Sequence, residues 1–159
     1  MSKSVVPVQI KALIPTNAGT AVFLGNDEKI FTIYIDQSIG AAIGMYLNQV
    51  EKERPLTHDL IASILTALGA KVERVVINDF KSGIYYGRLI VTAENELQQR
   101  KIVEIDARTS DCMAMAALQK SPIFVNQTVW DEVEDMTPLL EKLQKPGDQQ
   151  EPPASEENE

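Results

Sequence analysis

The sequence predicts an α+β fold: a mostly antiparallel or mixed sheet with about four helices packed on it, in a single compact domain. Three observations lead there. Short β-rich runs recur through the chain and are joined by turns. Segments beginning near residues 38 and 57 switch from alternating to helical apolar spacing. With 159 residues, 44% hydrophobic and 24% charged, the chain suits one soluble domain that needs no disulfide or zinc staple.

Val5–Ile14 reads as the first strand. Thr20–Leu24 and Ile30–Ile35 form a hairpin around Gly25-Asn26-Asp27. From Ser38, the residues Ile39, Ala42, Ile43, Tyr46, Leu47 and Val50 follow helical spacing, and Gly40, Ala41 and Gly44 leave one side thin enough for a close neighbour. Thr57 is the expected N-cap of a helix reaching Leu68, with Leu60, Ile61, Ile64, Leu65 and Leu68 as its buried stripe and Gly69 as its left-handed end. Val72–Ile77 and Ile84–Ala93 pair across a Lys81-Ser82-Gly83 turn, and Ile102–Ile105 is a further strand. Thr109 or Ser110 is expected to cap a helix over Asp111–Gln119. Ile123–Val125 is a short strand, Val129–Val133 is helical, and Thr137-Pro138 starts a last helix. Ile35-Asp36 and Ile105-Asp106 each close a strand before a helix, a weak internal echo.

The domain is expected over residues 1–135, followed by a helix over 136–145 and a disordered acidic tail over 146–159. That tail holds five of the 23 acids and no base, so the body carries 18 acids against 15 bases and is close to neutral. This argues against a protein that grips a long stretch of nucleic acid through a basic face. One cysteine, Cys112, excludes an intrachain disulfide framework and a CxxC zinc site. The lone thiol and the lack of a signal peptide point to the cytoplasm. No apolar run spans a bilayer, so no membrane partner is expected.

Two stretches concentrate chemistry: Arg54-Pro55-Leu56-Thr57-His58-Asp59 and Asp106-Ala107-Arg108-Thr109-Ser110-Asp111. Each sets an arginine before a hydroxyl residue and places an aspartate in the first helical turn. Free N–H groups at helix starts attract anions, and guanidinium forks match phosphate oxygens. Arg54, Thr57, Arg108 and Ser110 are therefore the candidate anion-binding residues. His58 is the one side chain here that ordinarily titrates near neutrality and is the candidate acid or base. Asp59, Asp106 and Asp111 are the candidate catalytic carboxylates. Asp106 and Asp111, with Asp59 and Asp36 in reserve, are the candidate ligands for Mg²⁺ or Mn²⁺. The plainer reading of both stretches is helix capping and local ion pairing. Asp79, Tyr86 and Arg88 read as a solvated sheet face, and Cys112 as core.

These same segments carry a resemblance. Arg54 to Leu60, Leu68 to Ile77, Tyr86-Gly87-Arg88-Leu89, Glu104 to Asp111 and Ser121-Pro122-Ile123-Phe124-Val125 occur in an order that resembles the bifunctional nuclease (BFN) domain family. The likeness covers about residues 5–135. Thr109 stands where the family often has proline, and Cys112 where it often has alanine. The resemblance implies a compact α+β domain that self-associates as a homodimer or larger homo-oligomer, with DNase and RNase activity. The roles given above to individual residues come from the residues themselves. The first expectation is thus a nuclease acting on DNA or RNA. The alternatives are a non-catalytic dimeric module that binds an anion or a partner, and a regulatory protein acting through its acidic tail.

Overall fold

A computed structural model describes residues 4–145; the acidic tail expected over 146–159 lies outside the described residues. Three antiparallel strands open the chain, β1 (Val5–Thr16), β2 (Gly19–Gly25) and β3 (Ile30–Ile35), and lead into α1 (Gln37–Leu47). After α2 (Thr57–Ala67) the plan recurs: β4 (Ala70–Lys81), β5 (Ile84–Glu94) and β6 (Arg100–Arg108) form a second meander that leads into α3 (Thr109–Gln119). The short strand β7 (Ile123–Asn126) is followed by α4 (Gln127–Glu132) and α5 (Thr137–Gln144).

The strands make one seven-stranded sheet in the order β3-β2-β1-β7-β4-β5-β6. β7 sits between the two meanders, antiparallel to β1 and parallel to β4, so the sheet is mixed. β1 serves both halves. Val5–Val8 pair with β7, and from Gln9 onward the strand pairs with β2, with a register shift between Ile10 and Ala12. A bulge of this kind bends a strand and lets it change neighbours. The echo between Ile35-Asp36 and Ile105-Asp106 is only approximate: Ile35 ends β3 and Asp36 caps α1, whereas Ile105 and Asp106 lie inside β6, which runs on to Arg108 before α3 begins.

Helices α1, α2 and α3 cover one face of the sheet. Val22, Leu24, Phe31, Ile43, Val75 and Ile77 meet Met113 and Met115 there in one buried cluster. Each such side chain contributes about 1.5–3 kcal/mol through removal from water. α5 covers part of the reverse face, where Leu140 packs on Ala21 and Phe23. The thin side expected on α1 is used at Gly40, where an added Cβ would stand 2.2 Å from Thr20 Oγ1 on β2.

Several local expectations are corrected. α1 ends at Leu47 rather than Val50, because Asn48 caps it and Gln49 turns to a φ of 52°. α4 covers Gln127–Glu132 rather than Val129–Val133. β6 is longer than Ile102–Ile105 because β5 offers it a continuous register from Tyr86 to Glu94. The N-cap of α2 is Leu56, not Thr57, and the Asp59 carboxylate accepts the Leu56 N–H at 2.8 Å. The N-cap of α3 is Arg108, and Thr109 and Ser110 are its first helical residues.

The largest correction is the buried stripe of α2. Leu60, Ile64 and Leu68 are 54%, 51% and 73% exposed, whereas His58 is buried. α2 lies at the margin of the helical layer, so only its flank with Ala62 and Leu65 reaches the core. Helical spacing identified the element but not which flank finds a neighbour. The expectation for Gly69 holds: it follows the cap residue Leu68 with a φ of 72°. Among the described residues, no helix is long and apolar enough to cross a membrane.

Candidate functional site

The starts of α2 and α3 meet. His58, the second residue of α2, sends Nε2 to within 2.9 Å of Asp111 Oδ1, in the first turn of α3. The imidazole is almost fully enclosed, with 8% of its side chain exposed, and Asp111 forms the partly open wall at 27%. Arg108 closes the set from outside. Its Nε donates to Asp111 Oδ2 at 2.9 Å and its Nη2 to Oδ1 at 3.4 Å, a fork on one carboxylate. Burial pushes the Asp111 carboxyl up, but the hydrogen bonds from Arg108 and His58, with their charges, outweigh it and hold the group below the usual carboxylate range.

Asp36 joins this neighbourhood from the other strand-to-helix joint. Its carboxylate accepts the backbone N–H and the hydroxyl of Ser38, each at 2.9 Å, which lowers its pKa, and it feels the Arg108 charge. Arg108 in turn is raised first by its hydrogen bond to Asp111 and then by the charge of Asp111 and, more weakly, of Asp36. Arg54 is exposed in the loop before α2 and makes no ion pair among the described residues. Thr57 is exposed, and Ser110 is half-buried at the second position of α3. Thr109 is buried, and its hydroxyl has no hydrogen-bond partner.

Two of the expected residues go elsewhere. Asp59 follows His58 directly, and a helix turns neighbouring side chains about 100° apart, so it faces another way. Besides Leu56 N–H it accepts the Tyr46 hydroxyl at 3.2 Å and stands 3.5 Å from Lys52 Nζ. Lys52 also sits 4.9 Å over the Tyr46 ring. Burial, then the Asp59 charge and hydrogen bond, pushes the Tyr46 hydroxyl up to about 12. Asp59 is thereby fully partnered in a helix-start box. Asp106 lies on the opposite face of the sheet from α3. Gly87 and its register partner Ala107 face Cys112 on α3, so the alternating neighbours Arg88 and Asp106 point away, and they pair at 2.7 Å. The sequence offered no sign of the Tyr46–Lys52 pairing, because it depends on how the α1–α2 loop folds back.

This geometry decides how the carboxylates fit a divalent cation. Asp106 and Asp111 are separated by the sheet, and both oxygens of Asp111 are engaged by His58 and Arg108. Among the described residues, no three His, Cys, Asp or Glu side chains come together as a metal would require. Asp106 and Asp111 therefore do not come together as the expected pair of Mg²⁺ or Mn²⁺ ligands. Cys112 is enclosed behind the site. Burial, with the charges of Asp111 and Asp106, pushes its thiol up to about 12, so it is no nucleophile at neutral pH.

A mixed sheet with a carboxylate-held histidine at two adjoining helix starts is the class of domain defined here. The chain belongs to the bifunctional nuclease domain family, whose model matches residues 22–137. It is also similar to an uncharacterized protein of Mycobacterium tuberculosis strain CDC 1551 and to one of strain H37Rv. Each is 36% identical over 104 residues, covering 65% of this chain and 58% of the relative. The chain thus spans less than two thirds of the length of these curated relatives.

Proposed function

We propose that the domain hydrolyses phosphodiester bonds of DNA or RNA at the His58–Asp111–Arg108 cluster. The family's description supports a nuclease reading. The observation that carries it to this place is the 2.9 Å contact between His58 Nε2 and a carboxylate that Arg108 also holds. A carboxylate on one ring nitrogen fixes the orientation and tautomer of the imidazole. Nδ1, which has no partner among the described residues, is left to take or give a proton. Arg108, 73% exposed, supplies a guanidinium group for phosphate oxygens at the mouth, and Arg54, exposed in the loop before α2, is the candidate second one. In this reading Asp111 is a positioning residue, and Asp59 and Asp106 lie outside the reaction.

The test is hydrolysis of single-stranded DNA, duplex DNA and RNA by chain purified free of contaminating nucleases, with Mg²⁺, with Mn²⁺ and with EDTA. His58→Ala should lower the rate by about 10²–10⁴-fold, the range of a lost acid–base group. Asp111→Asn should also lower it, and Asp106→Asn and Asp59→Asn should not. Cleavage that continues unchanged in His58→Ala and Asp111→Asn would overturn the assignment. The near-neutral body and the mutual neutralisation of Arg108 and Asp111 favour a second reading, a binding module without turnover. It predicts retained affinity for nucleic acid and no hydrolysis under any of these conditions. Self-association belongs to either reading, since Leu60, Ile64 and Leu68 together expose an apolar helix face of the kind that seats another chain.

A further inference from the structure

The sheet face turned away from α1, α2 and α3 carries side chains that the reading above leaves unused. Along β5, Tyr85, Leu89 and Val91 enter the core, so Tyr86, Arg88 and Ile90 project from the other face. The strand registers give that face its layout. Val76 lies between Phe124 and Arg88, and Ile90 lies between Arg74 and Glu104. A concavity of about 560 Å³ opens here, with Val76, Ile90 and Phe124 as its floor and Arg74, Arg88 and Asn126 among its walls. Ile90 is 2% exposed although it joins neither hydrophobic cluster. Asn126 is 9% exposed and donates Nδ2 to Asn78 O at 3.2 Å; its Oδ1 has no partner among the described residues. Beyond Arg88, Tyr86 is 42% exposed and sits across from Arg108, the residue that also holds Asp111.

We propose that this face binds single-stranded nucleic acid, with bases stacked on Phe124 and Tyr86 and phosphates met by Arg74, Arg88 and Arg108. The inference rests on the nuclease reading and names the form of its substrate. Aromatic faces interleaved with guanidinium groups on an open sheet are a stacking platform, and only unpaired bases can use one. Phe124 and Tyr86 stand two strands and two residues of register apart, roughly 12 Å, so one stretch of chain can reach both. Charge selects the same occupant. Each of the three arginines already has a carboxylate: Asp106 for Arg88 at 2.7 Å, Glu73 for Arg74 at 3.5 Å and Asp111 for Arg108 at 2.9 Å. None of the three is left unpaired to grip a duplex through its phosphates, so stacking carries the affinity. The salt dependence is correspondingly shallow, a slope of about −1 to −2 for two or three phosphates at roughly −0.7 each. Arg108 ends β6 and begins α3, so a strand that leaves the platform over this edge arrives at Asp111 and His58.

The experiment measures anisotropy of a fluorescein-labelled phosphorothioate oligodeoxyadenylate of about 12 nucleotides, within the usual site size for single strands, beside the matching duplex. The full chain should bind the single strand more tightly than the duplex. Tyr86→Leu and Phe124→Leu should each weaken single-strand binding by about 5- to 150-fold, the measured range for one stacked base. Arg88→Gln should weaken it less and reduce the salt slope by about one unit. Urea midpoints identify any variant that has not folded, and Tyr86→Leu, at an exposed position, keeps the test decisive if Phe124→Leu unfolds. Failure of the wild type to bind the single strand, or equal binding by folded Tyr86→Leu and Arg88→Gln, would overturn the proposal. So would a face that seats a second copy of the chain, seen as a sedimentation mass that falls in Tyr86→Leu while oligonucleotide binding stays constant. Hydrolysis of bis(4-nitrophenyl) phosphate, too small to use the platform, separates the two readings. If the nuclease reading alone is wrong, neither substrate is cleaved but the Tyr86-dependent binding persists.

Discussion

Gly87→Ala tests the packing that holds the candidate site together. Gly87 on β5 lies directly beneath α3, where an added Cβ would stand 2.6 Å from Cys112 Sγ, 3.0 Å from Ala107 O and 3.4 Å from Thr109 Cα. Cys112 cannot retreat, because it is fully buried beside Met113 and Met115. Replacing a strand glycine stiffens the unfolded chain and alone would stabilise by about 0.4–1 kcal/mol. Overpacking of this severity costs about 1–3 kcal/mol, so the clash wins and the variant should lose about 1–2 kcal/mol. Cys112→Ala alone should cost about 1 kcal/mol through the small cavity left behind. The double variant should be more stable than the sum of the two by about 1 kcal/mol, since the sulfur that clashed is gone. Rescue stays incomplete because the Ala107 carbonyl remains. The assay is urea unfolding followed by fluorescence of Trp130, the one tryptophan, which is 6% exposed and packs edge-on to Phe31 with ring centroids 6.1 Å apart. The reasoning fails if Gly87→Ala matches wild type in midpoint, or if the two substitutions prove additive within about 0.3 kcal/mol.

Asp111 has a lowered folded pKa, so its contribution to stability is complete above the unfolded value of about 3.9 and fades as pH falls through the folded one. Urea midpoints between pH 5 and pH 2, each roughly bracketing that window, should fall less steeply in Asp111→Asn than in wild type. The Cys112 thiol, pushed up to about 12, should ignore a disulfide reagent at about pH 8 in the native protein and react once urea unfolds it; rapid native labelling would contradict its enclosure. Asp59→Ala removes an acceptor from Leu56 N–H and the Tyr46 hydroxyl and should cost about 1–2 kcal/mol in urea unfolding while leaving nucleolytic rates unchanged. Thr109→Val keeps the shape and deletes a buried hydroxyl that has no partner, so calorimetry should find it as stable as wild type or more stable, by up to about 1 kcal/mol.

Much of the fold was legible because its signals are local. The hairpin turns, the change of period near Ser38, the helix stop at Gly69 and the strand-to-helix joint after Ile35 all lie within a few residues of the elements they punctuate. Family likeness was legible for the same reason, as it rests on short ordered segments. The α2 stripe shows the limit. Leu60, Ile64 and Leu68 have core spacing, yet spacing states only that residues share a side and is silent on whether anything packs there. The candidate site divides along the same line. Arg108 and Asp111 are three residues apart on one turn, so their pairing could be read directly, whereas His58 is 53 positions from Asp111 and meets it only because α2 and α3 adjoin.

From composition and pattern alone came the class of the fold, the order of its elements, the near-neutral body and the two helix starts where anions would be drawn. Those are properties of neighbouring residues and of sums over the chain. Tertiary structure decided which carboxylates share a space. Asp106 and Asp111 look equivalent in the sequence, but strand alternation sends one through the sheet, and the turn of a helix carries Asp59 off to Tyr46 and Lys52. Position along a chain sets chemistry within reach of a few residues; across fifty residues, only the packing of sheet against helix chooses the neighbours.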